Sequence, residues 1–245
     1  MGSDPLLLLT ENRGAVRILT MNRPQKRNAL NTALTRALLD GLRAADGADS
    51  VAAVVLTGAG QGFCAGADLA EFKDLTPERQ HLVDERAEFT MQLHLAFPRM
   101  AKPVLTAING AAMGGGAGLA IASDLALMAQ SAQLGYPETR HGIVAAIVMA
   151  NLVRQTGRKR AFELVSLGEP IAAEQALAYG LVNRVVPDRE LLPQTVALAE
   201  KLSAVKKEAL TETKKLFHQV ADLSLEAALK LGRETNKRMR AFGKK

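Results

Sequence analysis

Three stretches of this chain place glycines or a carboxylate where they could do chemistry. The first is Gly114-Gly115-Gly116, set in KPVLTAINGAAMGGGAGLAIASDLAL. A strand-like apolar stretch leads into it and a small-residue helix pattern, Ala117 to Ala122, follows. A glycine turn that opens a helix leaves backbone N–H groups unpaired. Such groups stabilise an anion, either a phosphate or a developing oxyanion. The alternative is close packing of a helix on a sheet, where any side chain would clash. The run is not a dinucleotide fingerprint, because GxGxxG would need a glycine where the chain has Leu119. Nor is it a P-loop, since no Gly-Lys-Ser/Thr follows.

The second stretch is TGAGQGFCAGADLAEF, Thr57 to Phe72. A strand ends at Thr57, a glycine-rich loop runs to Gly66, and free N–H groups are expected near Ala67 and Asp68. Asp68 reads most simply as a helix cap. Cys64 reads as a small packed residue, because no histidine stands beside it in sequence. Two strand-to-turn-to-helix junctions, each offering a backbone N–H, could together hold one oxygen. A carbonyl held that way can become an enolate, and the adjacent carbon then needs a general base.

The third stretch supplies one. LGYPETRHGI places Glu138 after Tyr136-Pro137, and proline suits a rigid loop. Leu134, Tyr136 and Ile143 are apolar enough to raise a carboxyl pKa by desolvation, as a base for a weak carbon acid requires. The competing reading is a solvated loop glutamate. His141 could pair with Glu138, or lie at the surface. Lys26 and Arg27, in NRPQKRNALN, form a basic loop after the first strand. Lys206-Lys207 and Lys214-Lys215 recur near the C-terminus. Each basic cluster reads as a solvated face or as a phosphate site.

These groups need a framework. Strands are expected over Ala15–Met21, Val51–Thr57, Val104–Ile108 and Leu125–Ala129, and helices over Thr32–Ala45 and Glu78–Phe97. Continuous apolar strands separated by helices imply an α/β fold with a mostly parallel sheet covered on both faces. From Ala145 the pattern turns helical: Ile147–Gln155, Arg158–Ser166, Ala172–Tyr179. A short strand, Val182–Val186, comes next, and then helices over Glu190–Ala204 and Lys206–Phe242, the last broken near Ala221–Ser224. The expected division is a core over 1–189 and a helical section over 190–245.

Composition narrows the classes. The chain has 245 residues, 48% of them hydrophobic, enough for one large domain with a helical appendage. Its apolar runs are too short to span a bilayer. MGSDPLLLLTENRG lacks a cationic region before its leucines, so no signal peptide is expected, and a cytoplasmic or organelle-matrix location fits. One cysteine excludes an intramolecular disulfide, and four histidines without HExxH spacing point to no metal. The net charge is +6. With aromatics at 4% and no stacking motif, steering of a small polyanion explains the excess as well as nucleic acid does.

The chain resembles the crotonase, or enoyl-CoA hydratase/isomerase, superfamily. The resemblance runs through NRPQKRNALN, VVLTGAGQGFCAGADLAEF, KPVLTAINGAAMGGGAGLAIASDLALMA, LGYPETRHGI and LGEPIAAEQALAYGLVNRVVP, in that order. It implies a crotonase-like spiral of ββα units, with a helical C-terminal section that builds a homotrimer or hexamer. It implies an acyl-CoA thioester as substrate and no external cofactor. By matching position, Ala67 and Gly115 look like the oxyanion-hole donors. The adenine and pantetheine of CoA would lie along Lys26, Arg27 and Ala65 to Leu69, Asp68 included. No nucleic-acid or membrane partner is expected.

Two-glutamate hydratases of the family carry one carboxylate on the helix after the glycine run and one in the Pro-Glu loop. Here the first position is Gly118 and the second is Glu138. Water addition benefits from two groups, whereas moving a double bond needs one base that takes a proton from C2 and returns it to C4. A single glutamate at the second position looks like the Δ3-Δ2-enoyl-CoA isomerases. The alternative is a hydratase using the same glutamate, as in relatives acting on branched acyl-CoA. A third reading is a non-enzymatic CoA- or RNA-binding relative. The segment HGIVAAIVMANLVRQTG departs from the usual Gly-Gly-rich segment that shapes the acyl pocket.

Overall fold

The computed structural model describes the backbone of residues 6–242. The reading of residues 1–5 as free of a leader lies outside it. The chain opens with a hairpin, β1 (Leu8–Arg13) and β2 (Val16–Met21), and continues through α1 (Thr32–Gly47) into β3 (Ala53–Gly58). A second strand, β4 (Gly62–Cys64), follows at once, then α2 (Gln80–Arg99). The pattern repeats as β5 (Val104–Ile108), β6 (Ala111–Met113) and α3 (Gly115–Ala122), and again as β7 (Leu125–Ala129) and β8 (Gln133–Gly135). Then come α4 (Met149–Leu167), β9 (Ile171–Ala172), α5 (Ala173–Ala178) and β10 (Arg184–Val186). The chain ends in α6 (Leu191–Ser203), α7 (Lys207–Val220) and α8 (Leu225–Phe242).

The main sheet runs β1-β2-β3-β5-β7-β10, parallel except for the β1–β2 hairpin. Its middle strands are continuous apolar runs because both faces are covered. β3 and β5 are buried at every residue. α6 lies across β2, β3, β5 and β7, while α1 packs on β1 and β2 and α3 on β5. α6, which begins just after residue 190, therefore packs on the sheet itself, whereas α7 packs mainly on α8.

Each two-strand unit sends its second strand into a smaller sheet, β4-β6-β8-β9. β4, β6 and β8 are parallel neighbours, so their C-terminal ends lie side by side. At three residues each, these strands carry too little pattern to be read in advance.

The helices expected over Ile147–Gln155 and Arg158–Ser166 are the two halves of α4, separated by the non-helical Gly157 (φ 76°, ψ 171°). One basic cluster departs from its expected place. Lys214 is neither solvated nor a phosphate ligand. Its Nζ is buried, donates to Lys102 O at 2.8 Å and pairs with Asp124 Oδ2 at 2.7 Å. Asp124 also accepts the Val104 N–H, so this cluster ties α7 to the start of β5.

Candidate active site

Three parallel strands of the small sheet each deliver one group to the same edge. Beyond β4 stands Ala67, beyond β6 stands Gly115, and beyond β8 stands Glu138. All three line one cleft of about 290 Å³.

Ala67 is turned by a single β-bridge to Leu30. The Leu30 N–H donates to Gly66 O at 2.7 Å, and the Asp68 N–H donates to Leu30 O at 3.0 Å. In such a bridge the residue between the two bonded neighbours points its own N–H and C=O the other way. The Ala67 N–H therefore faces away from Leu30. The expectation of a second free N–H at Asp68 is corrected, because that group is spent on Leu30.

Gly115 is the first residue of α3, so its N–H has no intrahelical acceptor. The two donors are close: a Cβ built on Gly115 would lie 3.9 Å from Ala67 N, and one built on Gly66 would lie 3.4 Å from Gly115 N. Gly114, at φ 52° and ψ −119°, makes the turn between β6 and α3. Its N–H donates to Gly135 O at 2.8 Å, which pins the turn to the end of β8. A Cβ on Gly114 would lie 2.7 Å from Glu138 Oε1. A bare backbone is thus what lets the carboxylate reach the turn.

Glu138 sits in a 3-10 turn, Pro137–His141, that follows β8. Oε2 is buried with no hydrogen-bond partner among the described residues. Burial raises the carboxyl pKa above its ordinary value; a local backbone hydrogen bond and His141 oppose this without cancelling it. His141 itself is exposed. Tyr136, beneath the turn, is fully buried.

The place of a carboxylate at position 118 is taken. A Cβ built on Gly118 would lie 2.2 Å from Val148 Cγ1 and 3.0 Å from His94 Cε1. Val148 closes the segment Ile143–Val148, which forms one wall of the cleft. His94 is buried, with Nδ1 unpartnered among the described residues. Burial lowers its pKa to about 4, so the ring is neutral near pH 7.

The remaining candidates lie outside this cluster. Lys26, Arg27, Ala65 and Leu69 are exposed, and none of them lines the cleft. Arg27 and Asn28 adopt positive φ (49° and 56°), and Asn28 holds that conformation through its side chain. Its Nδ2 donates to Ala59 O and Gly62 O, and its Oδ1 accepts the Arg23 N–H. No α-helix begins at Asp68, but it caps the 3-10 turn Glu71–Asp74 in part: its carbonyl accepts the Glu71 N–H and its Oδ1 the Ala70 N–H, while Ala70, at the cap position, has no side chain to do so. The Asp68 carboxylate also pairs with Arg23 at 2.8 Å. Burial pushes its pKa up, but Arg23, Ala70 N–H and Lys26 outweigh that and hold it below the ordinary value. Cys64 is buried, donates to Asn28 O and has its thiol pushed up to about 12 by burial, so it packs and does not react. Val148, His94, Arg86 and Glu71 escaped the sequence reading; each matters through a contact with a residue distant in sequence.

Known proteins fit this architecture closely. Residues 11–241 match the family model described as enoyl-CoA hydratase/isomerase. An Escherichia coli protein, 2,3-dehydroadipyl-CoA hydratase, is 37% identical over 225 residues, covering 91% of this chain and 86% of its own. An enoyl-CoA hydratase structure from Bacillus anthracis superposes with a TM-score of 0.89 at 31% identity, covering 95% of this chain and 90% of that one. Another from Mycobacterium smegmatis gives 0.90 at 33%, with the same coverage. The fold is that of the crotonases. The chain belongs to the enoyl-CoA hydratase/isomerase family, whose enzymes act on acyl-CoA thioesters.

Proposed function

We propose that this enzyme shifts the double bond of a 3-enoyl-CoA to the 2-position, with Glu138 as the only carboxylate acid/base. The observation that carries this reading is that Glu138 is the one carboxylate lining the cleft among the described residues. Glu138 faces the two donor amides, while the volume beside Gly118 holds Val148. Glu138 removes a proton from C2 of the bound thioester. The electron pair moves into a dienolate whose oxygen is held by the N–H groups of Ala67 and Gly115. Glu138, now protonated, returns the proton to C4, and the double bond ends between C2 and C3. A desolvated carboxylate with a raised pKa suits this task, because its basicity is nearer that of the weak carbon acid. One well-placed oxyanion donor is worth about 3 kcal/mol in such a step.

The CoA moiety is assigned to Lys26, Arg27, Ala65, Asp68 and Leu69. Exposed Lys26 and Arg27 offer charge to its phosphates, whereas Asp68, committed to Arg23, shapes the loop instead. A homotrimer or hexamer built through α7 and α8 is supported by the exposure of Phe217, Leu225 and Leu229.

Hydration of a 2-enoyl thioester by Glu138 alone is the second reading, favoured by the hydratase names of the relatives. Assaying the purified protein on 3-enoyl and 2-enoyl thioesters decides between them. Isomerisation exceeding hydration is expected; efficient hydration without isomerisation would replace the first reading with the second.

A further inference from the structure

Arg86 rises from α2 into the wall of the cleft, beside Ala67 and Phe72. Its side chain is 13% exposed, and its guanidinium is engaged on three sides. Nη1 pairs with Glu71 Oε2. Nη2 donates to Leu30 O at 3.0 Å. Cζ lies 5.3 Å from the centre of the Phe72 ring. Glu71 in turn accepts the Thr32 N–H at 3.0 and 3.1 Å through its two oxygens.

The Leu30 carbonyl is the shared point. The same oxygen accepts the Asp68 N–H in the bridge that turns Ala67 toward the cleft. Arg86 therefore holds Leu30 from one side while the Ala67 loop hangs from the other. Through Glu71 it also holds Thr32 and the segment that follows Ala67. A guanidinium can grip a carboxylate and a carbonyl at once in fixed geometry, which a lysine ammonium does not reproduce.

We infer that Arg86 is a positioning residue for the oxyanion donor at Ala67. The inference rests on the proposed reading of Ala67 as a donor to the enolate oxygen. It predicts a defect confined to states in which negative charge has developed on that oxygen. An oxyanion hole acts through donors already fixed at the right distance, so a loosened loop lowers turnover more than it lowers substrate binding.

The test compares two thioesters on the full-length protein by calorimetry. Acetoacetyl-CoA can bind as its enolate and butyryl-CoA stays a neutral thioester; the CoA moiety is common to both. The wild-type protein is expected to prefer acetoacetyl-CoA by at least about tenfold, and Arg86→Gln to lose most of that preference while its butyryl-CoA affinity holds. In parallel, kcat falls by at least about tenfold with KM little changed. Arg86→Lys, which keeps the charge and the stem, is expected to fall between the two, and it serves if the glutamine variant does not fold. A folded Arg86 variant that keeps both the preference and kcat overturns the inference. A wild-type protein without the preference overturns instead the reading of Ala67 on which it rests.

Discussion

Val148 fills the space in front of Gly118. Its Cγ1 lies 2.2 Å from where a side chain would leave that glycine, and Val148 is itself 5% exposed. The two positions are thirty residues apart in the chain but form one packed contact between α3 and the wall of the cleft. A methyl group arriving from another element thus occupies the space that a side chain at position 118 would need. This relationship dictates how the site can be re-engineered.

Gly118→Glu alone is expected to destabilise the protein, by about 1–3 kcal/mol from overpacking against Val148, and to gain no hydratase activity. Combined with Val148→Gly, the same substitution loses its two closest contacts, and only the His94 ring edge, at 3.0 Å, has to give. The double variant is expected to recover melting temperature and to hydrate a 2-enoyl thioester at least about tenfold faster than the parent, the low end for an added acid/base. Melting curves and a hydration assay check this. Equal hydration by the single variant would show that Val148 is no obstacle.

Glu138 sets a pH dependence whose sign follows from burial. Its pKa is raised in the folded protein. Its contribution to stability is therefore complete below the unfolded carboxylate value of about 4.3 and is lost as pH rises through the raised folded value. Glu138→Gln is expected to raise the melting temperature near pH 7 and to lose that advantage near pH 4. Catalysis needs the deprotonated carboxylate, so the acid limb of kcat/KM should be shifted upward from the ordinary carboxylate value. A melting difference independent of pH would contradict the assignment of burial as the cause.

Lys214 links the C-terminal helices to the core. Its side chain is 6% exposed and Asp124's is 17% exposed. Removing Lys214 leaves Asp124 with only the Val104 N–H and His218 as partners, which costs about 1–3 kcal/mol. Lys214→Met is expected to show a loss of that order in urea denaturation. A loss under about 1 kcal/mol, the range of a surface pair, would mean the contact is incidental.

Much of this architecture was legible in the sequence, for physical reasons that differ by element. β5 and β7 match the expected ranges because each is a five-residue, mainly apolar run, too short for a helix and bounded by polar or turn-forming residues. The break between α7 and α8 fell within the expected Ala221–Ser224. Gly114 to Gly116 and Glu138 stood out because glycine runs and a proline-led carboxylate are local signals. The small sheet did not, since strands of three residues have no period to detect. Asp68 misled for a related reason. Its bond to the Ala70 N–H is local and could be foreseen, but Arg23, which takes its other oxygen, lies 45 residues earlier. Arg86 and Val148 could not be singled out at all, because a helix arginine and a loop valine gain meaning only from Leu30, Glu71 and Gly118.

In the proposed mechanism Glu138 moves the proton while the backbone donors hold the thioester oxygen. The most direct test is turnover of a 3-enoyl-CoA by Glu138→Gln, alongside the affinity of that variant for a saturated acyl-CoA. Turnover is expected to fall by at least about a hundredfold, the low end for loss of a general base, with affinity preserved. Turnover equal to that of the parent would contradict the mechanism.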